Sequence, residues 1–171
     1  MFEEIKKDVI FYERSGGGVT LSGGEPLAQP QFATSILGLC QGAYIHTALE
    51  TCDHAEWGIF KEVLKSVDLP LYYFKHMDPV KHERYTGVSN RLIPDNARRV
   101  SHELSIPVWA RIPLIPGYND SVENLEATAR FIAEELGNCV KRGNLLPYHR
   151  LGETKFERPG VNYSVSTSPP S

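Results

Sequence analysis

Two rhythms of apolar residues alternate along the chain. Phe2, Ile5, Val9 and Tyr12 recur at helical spacing and predict an opening amphipathic helix, ended by Gly16-Gly17-Gly18. Val19-Thr-Leu reads as a short strand running into the turn-rich Ser22-Gly-Gly-Glu-Pro26. Phe32, Ile36 and Leu39 mark a second helix. Tyr44 to Leu49 reads as a strand ending at Glu50-Thr51, and Asp53 with Glu56 reads as the cap of a helix carrying Trp57, Phe60, Leu64 and Val67 on one face. Leu69 to Phe74 is a strand ending at Lys75, and Asp78-Pro79 opens a short helix. Ile93, Ala97, Val100 and Leu104 mark another helix, and Ile106 to Leu114 a strand. Val122, Leu125, Ala129, Ile132 and Leu136 form a stripe closed by Gly137, and Gly143 to Tyr148 holds a last strand, followed by His149.

Five strands alternating with helices predict an α/β fold with a parallel sheet and helices outside. Runs of apolar residues in the strands suggest a sheet buried on both faces. Five strands are too few for an eight-stranded barrel, so an open or partial barrel is the economical reading. One domain is expected over residues 1–160, with a disordered tail over 161–171, where Ser-Val-Ser-Thr-Ser-Pro-Pro-Ser is of low complexity.

Composition narrows the function. The 171 residues are 41% hydrophobic and 23% charged, with a net charge of -3, an ordinary globular balance without a basic stripe. Nucleic acid is therefore not an expected partner. No apolar run approaches the ~20 residues that cross a bilayer, so no membrane is expected. Cys40, Cys52 and Cys139 are an odd count at wide spacing, which suggests reduced thiols in the cytosol.

The unusual polar residues fall at strand ends, where ligands sit in α/β folds. Gly23-Gly24-Glu25 could offer backbone groups and a carboxylate to a ligand amine, or could be a plain turn. Glu50-Thr51 could bind a cation or a ribose hydroxyl, or start a helix. Lys75 could pair with a ligand carboxylate, or sit solvated on the rim. Arg111 lies among Val108, Trp109, Ile112 and Leu114 and needs an anionic partner. His149 could stack on a ligand or be structural. The other histidines lack zinc spacing, Ser22 lacks a nucleophile elbow, and the triple glycine is not a Walker loop.

The string Ser15-Gly-Gly-Gly-Val-Thr-Leu-Ser-Gly-Gly-Glu-Pro26 resembles the radical SAM activating enzymes of glycyl radical enzymes, such as pyruvate formate-lyase activating enzyme. The resemblance continues through Lys75-His-Met-Asp-Pro79, Tyr85-Thr-Gly-Val-Ser-Asn90, Arg111-Ile-Pro-Leu-Ile-Pro-Gly-Tyr-Asn-Asp120 and Leu145-Leu-Pro-Tyr-His-Arg-Leu-Gly-Glu-Thr-Lys155. It implies a partial (β/α)6 radical SAM barrel and an oxidoreductase that uses S-adenosylmethionine (SAM) and a [4Fe–4S] cluster. It also implies a glycyl radical enzyme as protein substrate and reduced flavodoxin or ferredoxin as electron donor. By the same resemblance Gly23, Gly24, Glu25, Thr51, Lys75, Arg111 and His149 line the SAM site.

The chain also departs from the family. No C-x3-C-x2-C motif is present, so the expectation is a piece without the first strand, its cluster loop and the last helix. Tyr73 replaces the aspartate of the family's Asp-x-Lys, and Glu50-Thr51-Cys52-Asp53 replaces Asp-Thr-Asn-Gly, so Glu50 and Tyr73 mark a degraded cation site. The expected function is thus glycyl-radical-enzyme activation by a piece inactive on its own. The alternatives are a non-catalytic SAM- or partner-binding remnant, or a metal-independent enzyme with Lys75 or Glu25 as base.

Overall fold

The computed structural model describes residues 1–149. Two short helices, α1 (Phe2–Lys6) and α2 (Val9–Ser15), precede β1 (Gly18–Leu21), α3 (Pro30–Gly42), β2 (His46–Thr51), α4 (Trp57–Leu64) and β3 (Leu69–Tyr73). Then come α5 (Pro79–Thr86), α6 (Leu92–Arg99), β4 (Val108–Leu114), α7 (Val122–Phe131) and β5 (Val140–Pro147). The strands form one parallel sheet in the order β1-β2-β3-β4-β5. The expected α/β architecture of a partial barrel is therefore present.

Sequential order with right-handed crossovers puts the helices on one face of the sheet. On that face Leu49, Tyr72, Ala110 and Ile112 are buried. Trp57, Phe60, Tyr72, Phe74 and Phe131 pack ring to ring beneath the sheet, and the Tyr72 hydroxyl donates to the Ile93 carbonyl at 2.9 Å. Alternation puts Glu50, Tyr73 and Arg111 on the other face, where they are half-buried. The reading of a sheet buried on both faces holds for the middle strands, where Ala48 and Leu71 are buried on the same face as Glu50, and that face adds half-buried polar side chains toward the strand ends.

Several element readings also shift. The opening helix is two helices that break at Asp8. In α3 the buried stripe is Ala33, Ile36, Leu37 and Cys40, while Phe32 and Leu39 are exposed, because small side chains let the helix lie close to the sheet. Tyr44 lies outside β2, in a left-handed turn and fully exposed. Asp53 does not cap α4. Glu56 occupies that position, and Asp53 is buried with φ 53°. Helix α6 continues into a π-helical turn at Val100–Leu104, and α7 into another at Ile132–Leu136. Asp78 does cap α5, accepting from the Val80 and Lys81 amides.

The expected limits of the domain, 1–160, and the tail at 161–171 reach or lie outside the described residues. Among the described residues no helix is long and apolar enough to cross a membrane.

Candidate functional site

The carboxyl ends of β1, β2 and β3 open onto a cleft of about 510 Å³. Gly23, Gly24, Glu25, Glu50, Thr51, Tyr73 and Lys75 line it, together with Ser22 and Cys52. Parallel strands in register bring these residues together: Leu21 pairs with Leu49, and Thr51 with Tyr72. Each chain therefore leaves the sheet at one level, and the first polar residues after each strand converge.

Glu25 joins the first two strand ends. Its Oε1 accepts from the Leu27 amide at 3.0 Å and the Thr51 hydroxyl at 2.7 Å. Its Oε2 accepts from the Cys52 amide at 2.9 Å and the Cys52 thiol at 3.0 Å. Four neutral donors thus surround one carboxylate, which braces the two loops. Gly23, with φ 123° and no atom near its missing Cβ, makes the turn that lets this loop fold back. Burial, then the Glu25 carboxylate, pushes the Cys52 thiol up to about 11, so Cys52 donates a hydrogen bond and is not a thiolate.

Glu50 is handled differently. It accepts from the Ser22 hydroxyl, the Tyr73 hydroxyl and Arg111 Nη1, and Arg111 Nη1 also lies 3.1 Å from the Tyr73 hydroxyl. Burial alone would raise the Glu50 carboxyl. The hydrogen bonds from Ser22 and Tyr73 and the guanidinium outweigh it, and the group titrates below the usual range. Tyr73 is held up as a phenol by burial and by the same carboxylate. Arg111 therefore finds the anionic partner its apolar strand requires, while its Nε is buried without an acceptor among the described residues.

The charge pattern follows. Glu50 and Arg111 neutralise each other. Glu25 meets only neutral donors, and no carboxylate pairs with the half-buried Lys75 ammonium among the described residues. One uncompensated anion and one uncompensated cation at different strand ends of a single cleft suit a zwitterion.

The sequence-derived site residues divide accordingly. Gly23, Gly24, Glu25, Thr51 and Lys75 line the cleft, as do Glu50 and Tyr73 of the altered cation site. Arg111 sits behind it, bonded to Glu50 and Tyr73. His149, exposed two residues beyond β5, is not among the residues lining it. The sequence reading did not single out Ser22 or Cys52 as cleft residues. Their signal was position alone, each being the first residue after its strand.

The three thiols do not gather. Cys40 is buried in α3, Cys52 follows β2, and Cys139 precedes β5 with its thiol on the Ile106 carbonyl. Among the described residues no group of three or more His, Cys, Asp or Glu side chains could hold a metal ion. An iron–sulfur cluster needs thiolates converging on one point, so these cysteines do not fit one.

Comparison with known proteins adds lineage to this geometry. Residues 2–132 match the model of the Radical SAM superfamily. The chain is 44% identical over 163 residues to (2S)-3-sulfopropanediol dehydratase activating enzyme of Klebsiella oxytoca, covering 95% of this chain and 51% of that one. It is 43% identical over 159 residues to trans-4-hydroxy-L-proline dehydratase activating enzyme of Clostridioides difficile, covering 92% and 52%. The chain thus spans about half the length of the curated relatives it matches. A crystal structure of a domain of pyruvate-formate lyase-activating enzyme from Bacteroides vulgatus superposes with a TM-score of 0.71 at 41% identity, covering 78% of this chain and 81% of that one.

Proposed function

The chain belongs to the radical SAM superfamily, and we propose that it serves in the activation of a glycyl radical enzyme as the part that binds SAM. The observation that carries this reading is the cleft itself, where the Gly23-Gly24-Glu25 loop, Thr51 and Lys75 meet at three consecutive strand ends. SAM presents an ammonium, a carboxylate and a sulfonium. Glu25 and the carbonyls of the glycine turn would take the ammonium, and Lys75 would take the carboxylate. Thr51 holds Glu25 in place for this task. Arg111 and His149 belong to the same site in this proposal. Arg111 fixes the wall through Glu50 and Tyr73, and His149 faces the adenosine end.

When loaded, the superfamily's [4Fe–4S] cluster supplies an electron to SAM. The cysteines of this chain do not assemble a site for it, so no step is assigned to them. On this reading the chain binds SAM and, by itself, does not cleave it. The partner is the glycyl radical enzyme whose glycine loses hydrogen. Reduced flavodoxin or ferredoxin is the electron donor, and the setting is the cytosol.

The test is anaerobic reconstitution of the chain with iron and sulfide, then reduction with dithionite in the presence of SAM. We expect colourless protein and no 5′-deoxyadenosine. A brown protein releasing 5′-deoxyadenosine would overturn the proposal that this chain binds without cleaving.

A further inference from the structure

The segment after β3 leaves the sheet yet is not left to solvent. Its last ladder bond runs from the Phe74 amide to the Arg111 carbonyl at 2.9 Å. Beyond it, asparagine side chains take over. Asn119 Nδ2 donates to the Lys75 carbonyl at 2.8 Å and the Pro113 carbonyl at 2.6 Å, while its Oδ1 accepts from the Ile115 amide at 2.7 Å. Asn90 Nδ2 donates to the carbonyls of His76 at 2.8 Å and Met77 at 2.9 Å. Asn124 Oδ1 accepts from the Met77 amide at 2.9 Å, and its Nδ2 donates to the Asn119 carbonyl at 2.8 Å.

These three asparagines are no more than 5% exposed and come from three separate places: the α5–α6 loop, the β4–α7 loop and α7. A connecting loop normally satisfies its backbone with water. Burying three amides to do that job costs desolvation unless every polar atom is met. Here the side chains pin Lys75, His76 and Met77 from two sides. Lysine carries its charge on a flexible four-carbon stem, so only its backbone can fix where that charge enters the cleft. An amide supplies two donors and an acceptor in one plane, which is what bridging the ends of β3 and β4 requires.

We propose that Asn119, backed by Asn124 and Asn90, is a positioning residue for ligand capture. It acts through Lys75 by fixing the backbone from which the ammonium reaches the ligand carboxylate. This deepens the SAM reading above and rests on it.

The experiment measures SAM affinity by calorimetry for the chain and for Lys75→Ala, Asn119→Ala and the double variant. In parallel, mass spectrometry reads the acylation rate of each lysine without SAM. We expect Asn119→Ala to weaken SAM binding about tenfold, and the double variant to bind no worse than Lys75→Ala, since coupled residues are not additive. We expect Lys75 to acylate several times faster in Asn119→Ala, with Lys81 unchanged. Losses that multiply in the double variant, or an unchanged Lys75 acylation rate, overturn the proposal. If the unaltered chain takes up no SAM, the reading of the cleft falls and ligand capture with it, while the acylation rates still decide whether Asn119 holds Lys75. Should Asn119→Ala fail to fold, Asn90→Ala makes the same two tests from the other side of the segment, with the same expected results.

Discussion

Asp53 combines a left-handed backbone with a buried carboxyl group. Its φ of 53° suits glycine, its side chain is fully buried, and its Oδ2 has no partner among the described residues. Among the described residues, Asn96 Nδ2 reaches its Oδ1, at 3.3 Å. Burial drives the carboxyl well above its ordinary value, against the Asn96 hydrogen bond and helped by the nearby Glu25 charge. The native state therefore holds the proton more tightly than the unfolded chain. Stability falls as pH rises from about 3.9, the unfolded value, to the raised native one, and is flat above that. Asp53→Asn removes this dependence while keeping a side chain that tolerates the left-handed region. Its melting temperature should exceed that of the unaltered protein at pH 8 and match it at about pH 4. Equal melting temperatures at both would contradict this.

Cys52 makes the complementary case. Held up to about 11 by burial and by Glu25, its thiol should resist alkylation at pH 8 and react about tenfold faster per pH unit above that. Iodoacetamide labelling followed by mass spectrometry reads it. A reaction already at its plateau at pH 8 would mean that the brace on Glu25 is not made as described.

At the scale of elements, Gly18 limits how β1 can pair. A Cβ there would lie 2.0 Å from the His46 carbonyl oxygen across the β1–β2 register. Gly18→Ala must push the strands apart or shift the register that aligns the Glu25 loop with Thr51. It should cost about 2 kcal/mol in a denaturant titration and weaken ligand binding along with it. Unchanged stability would show that the strand pair gives way without loss. In local structure the run of three glycines was read as the end of a helix. Gly16 does that, in a left-handed conformation with its amide on the Tyr12 carbonyl, but Gly18 serves strand contact.

The first four strands were legible because each carries an apolar run bounded by turn residues; β5 begins at Val140, before the expected Gly143, because its first half, Val-Lys-Arg-Gly-Asn, is polar. Helix faces were less legible: in α3 the buried positions are Ala33 and Cys40 as much as Ile36, and no hydropathy pattern favours alanine over Phe32. The cleft residues were legible as strand-end polar groups. The asparagine frame was not, because Asn90 lies about 30 residues before Asn119 and Asn124 and the meaning of all three comes only from what they touch. The bonding of Arg111 to Glu50 and Tyr73 was half legible. Its need for an anion was clear, but the anion lies 61 residues earlier in the chain.

At the scale of the whole molecule, the parallel sheet does two jobs. Its helix-covered face supplies the aromatic core, and its strand ends supply a cleft with one anion and one cation left uncompensated. Among the described residues β1 and β5 are the edge strands, and much of β5 is exposed. Such edges invite pairing between chains. Sedimentation of the isolated chain should therefore show association that increases with concentration, and a monomer at every concentration would contradict that.

The central claim, that this cleft takes SAM, is tested most directly by calorimetric titration of the chain with SAM. The account expects saturable binding to one site, weakened about tenfold or more by Lys75→Ala, as for the loss of a charged partner. Absence of saturable heat, or binding that Lys75→Ala leaves untouched, would contradict it.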